Sequence, residues 1–163
     1  MAENLVIDRT LGKEEKYSSF LLQVQSLIEG ETDEVAVLAN VSAALRQTFN
    51  FFWVGFYRVI DSNTLLLGPF QGDIACFRIE KGKGVCGTAW QQKKTVIVPD
   101  VHQFKGHIAC SVLTNSEIVV PVFDSQNEVK YVLDIDSTEF NQFDEVDQKY
   151  LEKLALIIKT TLF

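Results

Sequence analysis

The chain has no apolar run approaching the ~18 residues that cross a bilayer. Its richest stretch, Phe49 to Tyr57, contains Asn50 and Gly55 and stops at Arg58. The opening Met1-Ala2-Glu3-Asn4 has neither the basic start nor the apolar core of a secretory signal. Basic charge is scarce as well: 15 Lys and Arg face 22 Asp and Glu, a net charge of −7. That balance excludes a surface built to displace counterions from nucleic acid or from an anionic membrane. Cysteine is sparse and odd in number, at Cys76, Cys86 and Cys110, with no Cys-x-x-Cys. The count excludes the disulfide framework of a secreted domain. Only two histidines, His102 and His107, accompany them, and no ligand pair has the short spacing that zinc sites favour. What is present is 47% hydrophobic and 23% charged over 163 residues, the composition of one cytoplasmic globular domain spanning 1–163.

Periodicity divides the chain. Tyr17, Phe20, Leu21, Val24, Leu27 and Ile28 recur at spacings of three and four and predict a helix over Lys13 to Glu29, ended by Gly30. Thr32 reads as the N-cap of a second helix whose first turn carries Asp33 and Glu34, and the two helices are expected to pair. The period then changes. Phe51 to Ile60 and Thr64 to Phe70 predict a hairpin across Asp61-Ser62-Asn63, followed by short strands at Ile74 to Ile79 and Thr95 to Val98 with a short helix between them. Val101 to Ala109 reads as a loop. Ile118 to Phe123 and Val129 to Ile135 form a second hairpin, and Phe143 to Phe163 is a closing amphipathic helix. The fold class is α+β around an antiparallel sheet.

Three segments carry chemistry. In Lys81-Gly82-Lys83-Gly84-Val85-Cys86-Gly87 the glycines predict a tight strand-to-helix turn, which places Cys86 near a helix start where the dipole and Lys81 or Lys83 lower a thiol pKa. His107-Ile108-Ala109-Cys110-Ser111 leads through a polar loop to Glu117 at the mouth of an apolar strand. In Leu133-Asp134-Ile135-Asp136 a period of two puts both carboxylates on one face. Like charges held that close call for a cation or a shared proton, which points to an ammonium-binding site. The histidines show no carboxylate to orient them, and spacing alone does not separate Trp53 as core from Trp53 as pocket.

Together with Trp53-Val54-Gly55-Phe56-Tyr57, Leu67-Gly68-Pro69-Phe70-Gln71-Gly72 and Ser116-Glu117-Ile118-Val119-Val120-Pro121, these segments occur in an order that closely resembles the free methionine-(R)-sulfoxide reductases, enzymes built on a single GAF domain. The resemblance implies an antiparallel sheet with its terminal helices on one face and a ligand pocket on the other. It implies that Cys110 attacks the sulfoxide, Cys76 resolves the product and Cys86 is auxiliary. Glu117, Asp134 and Asp136 are implied to hold the substrate's ammonium group and sulfoxide oxygen, with Trp53 packed on its methyl end. It further implies free L-methionine-(R)-sulfoxide as substrate, thioredoxin as electron donor, no bound cofactor, and a homodimer.

Two points cut across that pattern. Ser111 stands where many such proteins have Asp, which removes a negative charge beside the thiol. The dipole argument favours Cys86 as the reactive thiol whereas the resemblance favours Cys110; Cys110 is preferred because it lies closest in sequence to Glu117. Two rival readings are a GAF domain that only binds a small ligand such as a cyclic nucleotide, and a thiol sensor oxidised directly. An acidic pocket suits an ammonium better than a phosphate, and neither rival accounts for the cysteines and carboxylates together.

Overall fold

A computed structural model describes residues 5–8 and 10–163; the opening residues 1–4 lie outside it. Helix α1 runs over Lys13–Ile28 and gives way to Gly30 at φ +78°. Helix α2 spans Glu34–Phe49. Its N-cap is Asp33 rather than Thr32, because the Asp33 carboxylate accepts from the Ala36 N–H at 2.9 Å while the Thr32 N–H is taken by Glu31. Strands β1 (Trp53–Val59) and β2 (Thr64–Gln71) make the first hairpin. The strand expected over Ile74 to Ile79 shrinks to β3, Arg78–Glu80. Ile74 and Phe77 are 87% and 72% exposed, so the apolar residues that suggested a strand have no surface to cover.

Helix α3 (Gly84–Gln92), strand β4 (Val96–Val98), the hairpin of β5 (Ser116–Phe123) and β6 (Val129–Ser137), and helix α4 (Glu145–Leu162) complete the chain. The expected loop from Val101 holds a single 3-10 turn at Val101–Gln103, capped by Asp100 accepting from the His102 N–H at 3.0 Å. All pairings are antiparallel, in the order β3-β2-β1-β6-β5-β4.

Strand alternation sorts the sheet into two faces. Val54, Phe56, Ile118, Val120, Leu133 and Ile135 point one way and pack against Phe20, Val24, Leu38, Leu45, Leu151 and Leu154 of α1, α2 and α4. Burying each such side chain contributes about 1.5–3 kcal/mol. Tyr17 ties α1 to α4 within this layer, donating to Asp147 at 2.8 Å. The opposite face carries Trp53, Tyr57, Leu65, Val119 and Val132, covered by Val85, Cys86, Ala89 and Trp90 of α3. One face is thus sealed by the long helices, and the other is only part covered by a nine-residue helix and loops. Among the described residues no helix is long and apolar enough to cross a membrane.

Candidate active site

Register builds the site. Across three neighbouring strands Trp53 pairs with Asp136, which pairs with Glu117, while Gly55 pairs with Asp134. These residues alternate with the helix-facing core positions, so all of them address the part-covered face. The expected common face of Asp134 and Asp136 is therefore observed, and Glu117 joins them from the neighbouring strand. Trp53, Cys86, Cys110, Glu117, Asp134 and Asp136 line one cavity of about 40 Å³.

Gly55 is required here. A Cβ at this position would lie 2.3 Å from Phe70 Cβ and 2.7 Å from the Trp53 ring. Its absence lets Phe70 stack on Trp53 at 5.3 Å between ring centroids. Gly72, at φ +134°, leaves the matching space on the other side of the indole, where a Cβ would stand 2.6 Å from Trp53 Cδ1. The indole N–H donates to the Asp73 carbonyl at 3.0 Å. Trp53 is thus both core and pocket.

Glu117 and Asp134 are buried, Asp136 is half-buried, and the three crowd together. Glu117 and Asp134 are each 6% exposed, and one oxygen of each lies within 4.8 Å of the other and of Cys86 Sγ. Burial, with the charges of Asp134 and Asp136, pushes Glu117 well above the usual carboxyl range. Burial and the Asp134 charge do the same to Asp136. Asp134 rises less, to about 6, because hydrogen bonds from Cys86 and Glu117 favour its ionised form against desolvation. Ionising any one of the three makes the others harder to ionise, so the cluster holds protons that isolated carboxyls would have lost. Asp134 Oδ1 is buried without a hydrogen-bond partner, a position that a cationic ligand would satisfy. By distance alone Cys86, Glu117 and Asp134 could also hold a metal ion, at the cost of deprotonating a buried thiol.

Cys76 and Cys110 are joined in a disulfide across 34 residues of sequence, and Cys110 lies on the cavity wall. Cys86 is a free, buried thiol. It stands on the first turn of α3 as expected, but burial and the charges of Asp134 and Glu117 push its pKa well up rather than down. The dipole argument fails because the thiol is fully buried and has the Asp134 and Glu117 carboxyls beside it; Lys81 sits over the Trp90 ring at 4.8 Å. Ser111 lines the cavity and accepts from the Leu113 N–H at 3.2 Å.

Two wall residues were not assigned from sequence. His107 places Nε2 3.9 Å from Glu117 Oε2, and its pKa is lowered, first by burial and then by His102. Glu117 lies ten residues away on β5, and the folded loop brings the two side chains near each other. Tyr57 is 1% exposed and donates to the Cys76 carbonyl at 3.0 Å; its position two residues beyond Gly55, on the Trp53 face, was the available signal.

The GAF domain profile matches residues 31–162. GAF domain-containing protein A of Dictyostelium discoideum is 56% identical over 158 residues, covering 97% of this chain and 99% of that protein. A free methionine-R-sulfoxide reductase of Saccharomyces cerevisiae is 43% identical over 170 residues, covering 99% and 94%. The structure of free methionine-R-sulfoxide reductase from Neisseria meningitidis in complex with its substrate superposes with a TM-score of 0.94 at 48% identity, over 99% of this chain and 95% of that one. Sheet order, pocket and likeness coincide, and the chain belongs to the GAF-domain family, among relatives that bear the name free methionine-R-sulfoxide reductase.

Proposed function

We propose that the protein is an oxidoreductase that reduces free L-methionine-(R)-sulfoxide to L-methionine, the whole chain working as one GAF domain. The observation that carries the reading is a Cys76–Cys110 disulfide whose Cys110 half lies on the wall of a pocket also lined by three crowded carboxyls. The relatives named for this reaction support it.

In the reduced enzyme the Cys110 thiolate attacks the sulfoxide sulfur. Glu117, kept protonated by burial and its acidic neighbours, donates a proton to the oxygen. The oxygen then passes from the substrate's sulfur to Cys110 Sγ as the Cys110–substrate sulfur bond and the substrate's sulfur–oxygen bond break, so that methionine leaves and Cys110 is left as a sulfenic acid. The Cys76 thiol then displaces that oxygen as water and the disulfide forms. A dithiol of the thioredoxin class exchanges the disulfide away and resets both thiols. Two thiols supply the electrons and a carboxyl supplies the proton, so the cycle requires no bound cofactor.

Asp134 pairs with the substrate's ammonium through its unpartnered oxygen, and the cation in turn favours its ionised form. A methionine residue inside a protein offers an uncharged amide there and leaves the buried carboxylate unsatisfied, a mismatch of order 10⁴ in discrimination. Trp53 packs on the methyl end, and fixing methyl and oxygen in different places selects one epimer. Cys86, with its raised pKa, is an auxiliary thiol at most. A cytoplasmic homodimer completes the proposal.

The test is NADPH oxidation coupled through thioredoxin and thioredoxin reductase, with the R and S epimers offered separately. Turnover with R alone, abolished in Cys110→Ser, is expected. Silence with both epimers, repeated with dithiothreitol as donor on folded protein, would refute the reading.

A further inference from the structure

The Cys76-bearing segment has little of its own to fix it. Residues 72–77 carry no regular secondary structure, and of the apolar residues near the cysteine Ile74 and Phe77 are exposed while Ala75 alone packs against the sheet. Its main chain is instead held from outside. The Trp53 indole donates to the Asp73 carbonyl and the Tyr57 hydroxyl donates to the Cys76 carbonyl, each at 3.0 Å, and the Leu67 N–H donates to the Phe77 carbonyl at 2.9 Å. Two of these three tethers come from β1, from side chains that face the pocket. Tyr57 is itself buried and stacked near Trp53 at 6.2 Å between centroids, which constrains where its hydroxyl can sit.

We infer that Tyr57 is a positioning residue for the resolving cysteine: its hydroxyl, bound to the Cys76 carbonyl, holds the Cys76 sulfur where it meets Cys110. This rests on the proposed reductase cycle and assigns Tyr57 to its second half, in which the Cys76 thiol loses its proton, its sulfur bonds to Cys110, the Cys110 S–O bond breaks and water leaves. Bringing together two thiols 34 residues apart on an untethered segment has an entropic cost that pre-positioning removes from the chemical step. Burial and the Asp134 charge keep the phenol protonated, so the donor is present across the working pH range.

The test compares wild type with Tyr57→Phe, which keeps the ring and loses the tether. The first readout needs no sulfoxide: both proteins are equilibrated in glutathione redox buffers and the Cys76–Cys110 disulfide is quantified by alkylation and mass spectrometry. The variant's disulfide is expected to be about fivefold more easily reduced, the equilibrium worth of one neutral hydrogen bond. The second readout is kinetic. The thioredoxin-coupled kcat is expected to fall more than kcat/KM for the sulfoxide, with more Cys110 sulfenic acid captured by dimedone in a single turnover. An unchanged glutathione equilibrium overturns the inference, as does an equal fall in kcat and kcat/KM. A shifted equilibrium in a protein that turns over neither epimer supports the tether and refutes the reductase reading. If Tyr57→Phe does not fold, Trp53→Phe, which breaks the tether to Asp73, carries the same expectation for the glutathione equilibrium.

Discussion

Replacing Asp134 by Asn is expected to stabilise the protein while disabling its pocket. Burial raises the Asp134 pKa from the usual 3.8 to about 6. Ionising this group therefore costs the folded state about 3 kcal/mol more than it costs the unfolded chain. The sign follows from the direction of the shift. The carboxyl's contribution is most favourable below pH 3.8 and is lost as the pH rises through about 6. Between pH 5 and pH 8 Asp134 alone is expected to remove on the order of 1 kcal/mol of stability. Glu117 and Asp136, raised in the same direction, steepen the decline. Asn keeps the shape without the charge, so Asp134→Asn at pH 8 is expected to gain up to about 3 kcal/mol and to show a shallower loss with pH. Urea denaturation of both proteins at pH 5 and pH 8 reads the midpoints directly. Equal pH slopes in the two proteins, or a variant less stable than wild type at pH 8, would refute the reasoning. The coupled assay on the same samples is expected to show a KM raised by a hundredfold or more, since a buried ammonium loses its charged partner.

Cys76→Ser is expected to release about one methionine per subunit in a rapid-quench experiment and then stop, because Cys86 is buried with its pKa raised and is a poor substitute for the resolving thiol; sustained turnover would count against the order of thiols. Gly55→Ala forces a Cβ to within 2.3 Å of Phe70 and 2.7 Å of Trp53, and a loss of about 1–3 kcal/mol with a raised KM is expected in denaturation and kinetic measurements. A variant as stable as wild type would show that β2 gives way at no cost.

How much of this was legible in the sequence depended on whether a residue's partners were local. Asp134 and Asp136 were found by period two alone, since alternation along β6 needs no knowledge of neighbouring strands. Glu117 was a lone acid at a strand mouth until the β5–β6 register set it opposite Asp136. Cys86 was placed correctly on its helix, yet the direction of its pKa shift came out reversed: the helix start was local information, and the carboxylates beside it were not. Ile74 to Ile79 reads as strand because its apolar composition resembles a buried edge, whereas side chains of β1 take the Asp73 and Cys76 carbonyls in place of a ladder. The pairing of Cys76 with Cys110 came through resemblance to a family, and spacing alone did not supply it.

The register that assembles the carboxyls also constrains how the chain can fold wrongly. Sliding β6 by one residue against β1 and β5 would exchange its faces, turning Asp134 and Asp136 into the layer filled by Phe56, Ile118 and Leu154. Carboxylates stranded there lose several kcal/mol each with no partner to offset it, so the misaligned sheet would be expelled from the compact ensemble. An all-apolar β6 would slip far more cheaply. The same acids proposed to hold the ligand thus act earlier as proof-readers, rejecting sheets that would have buried the site inside out.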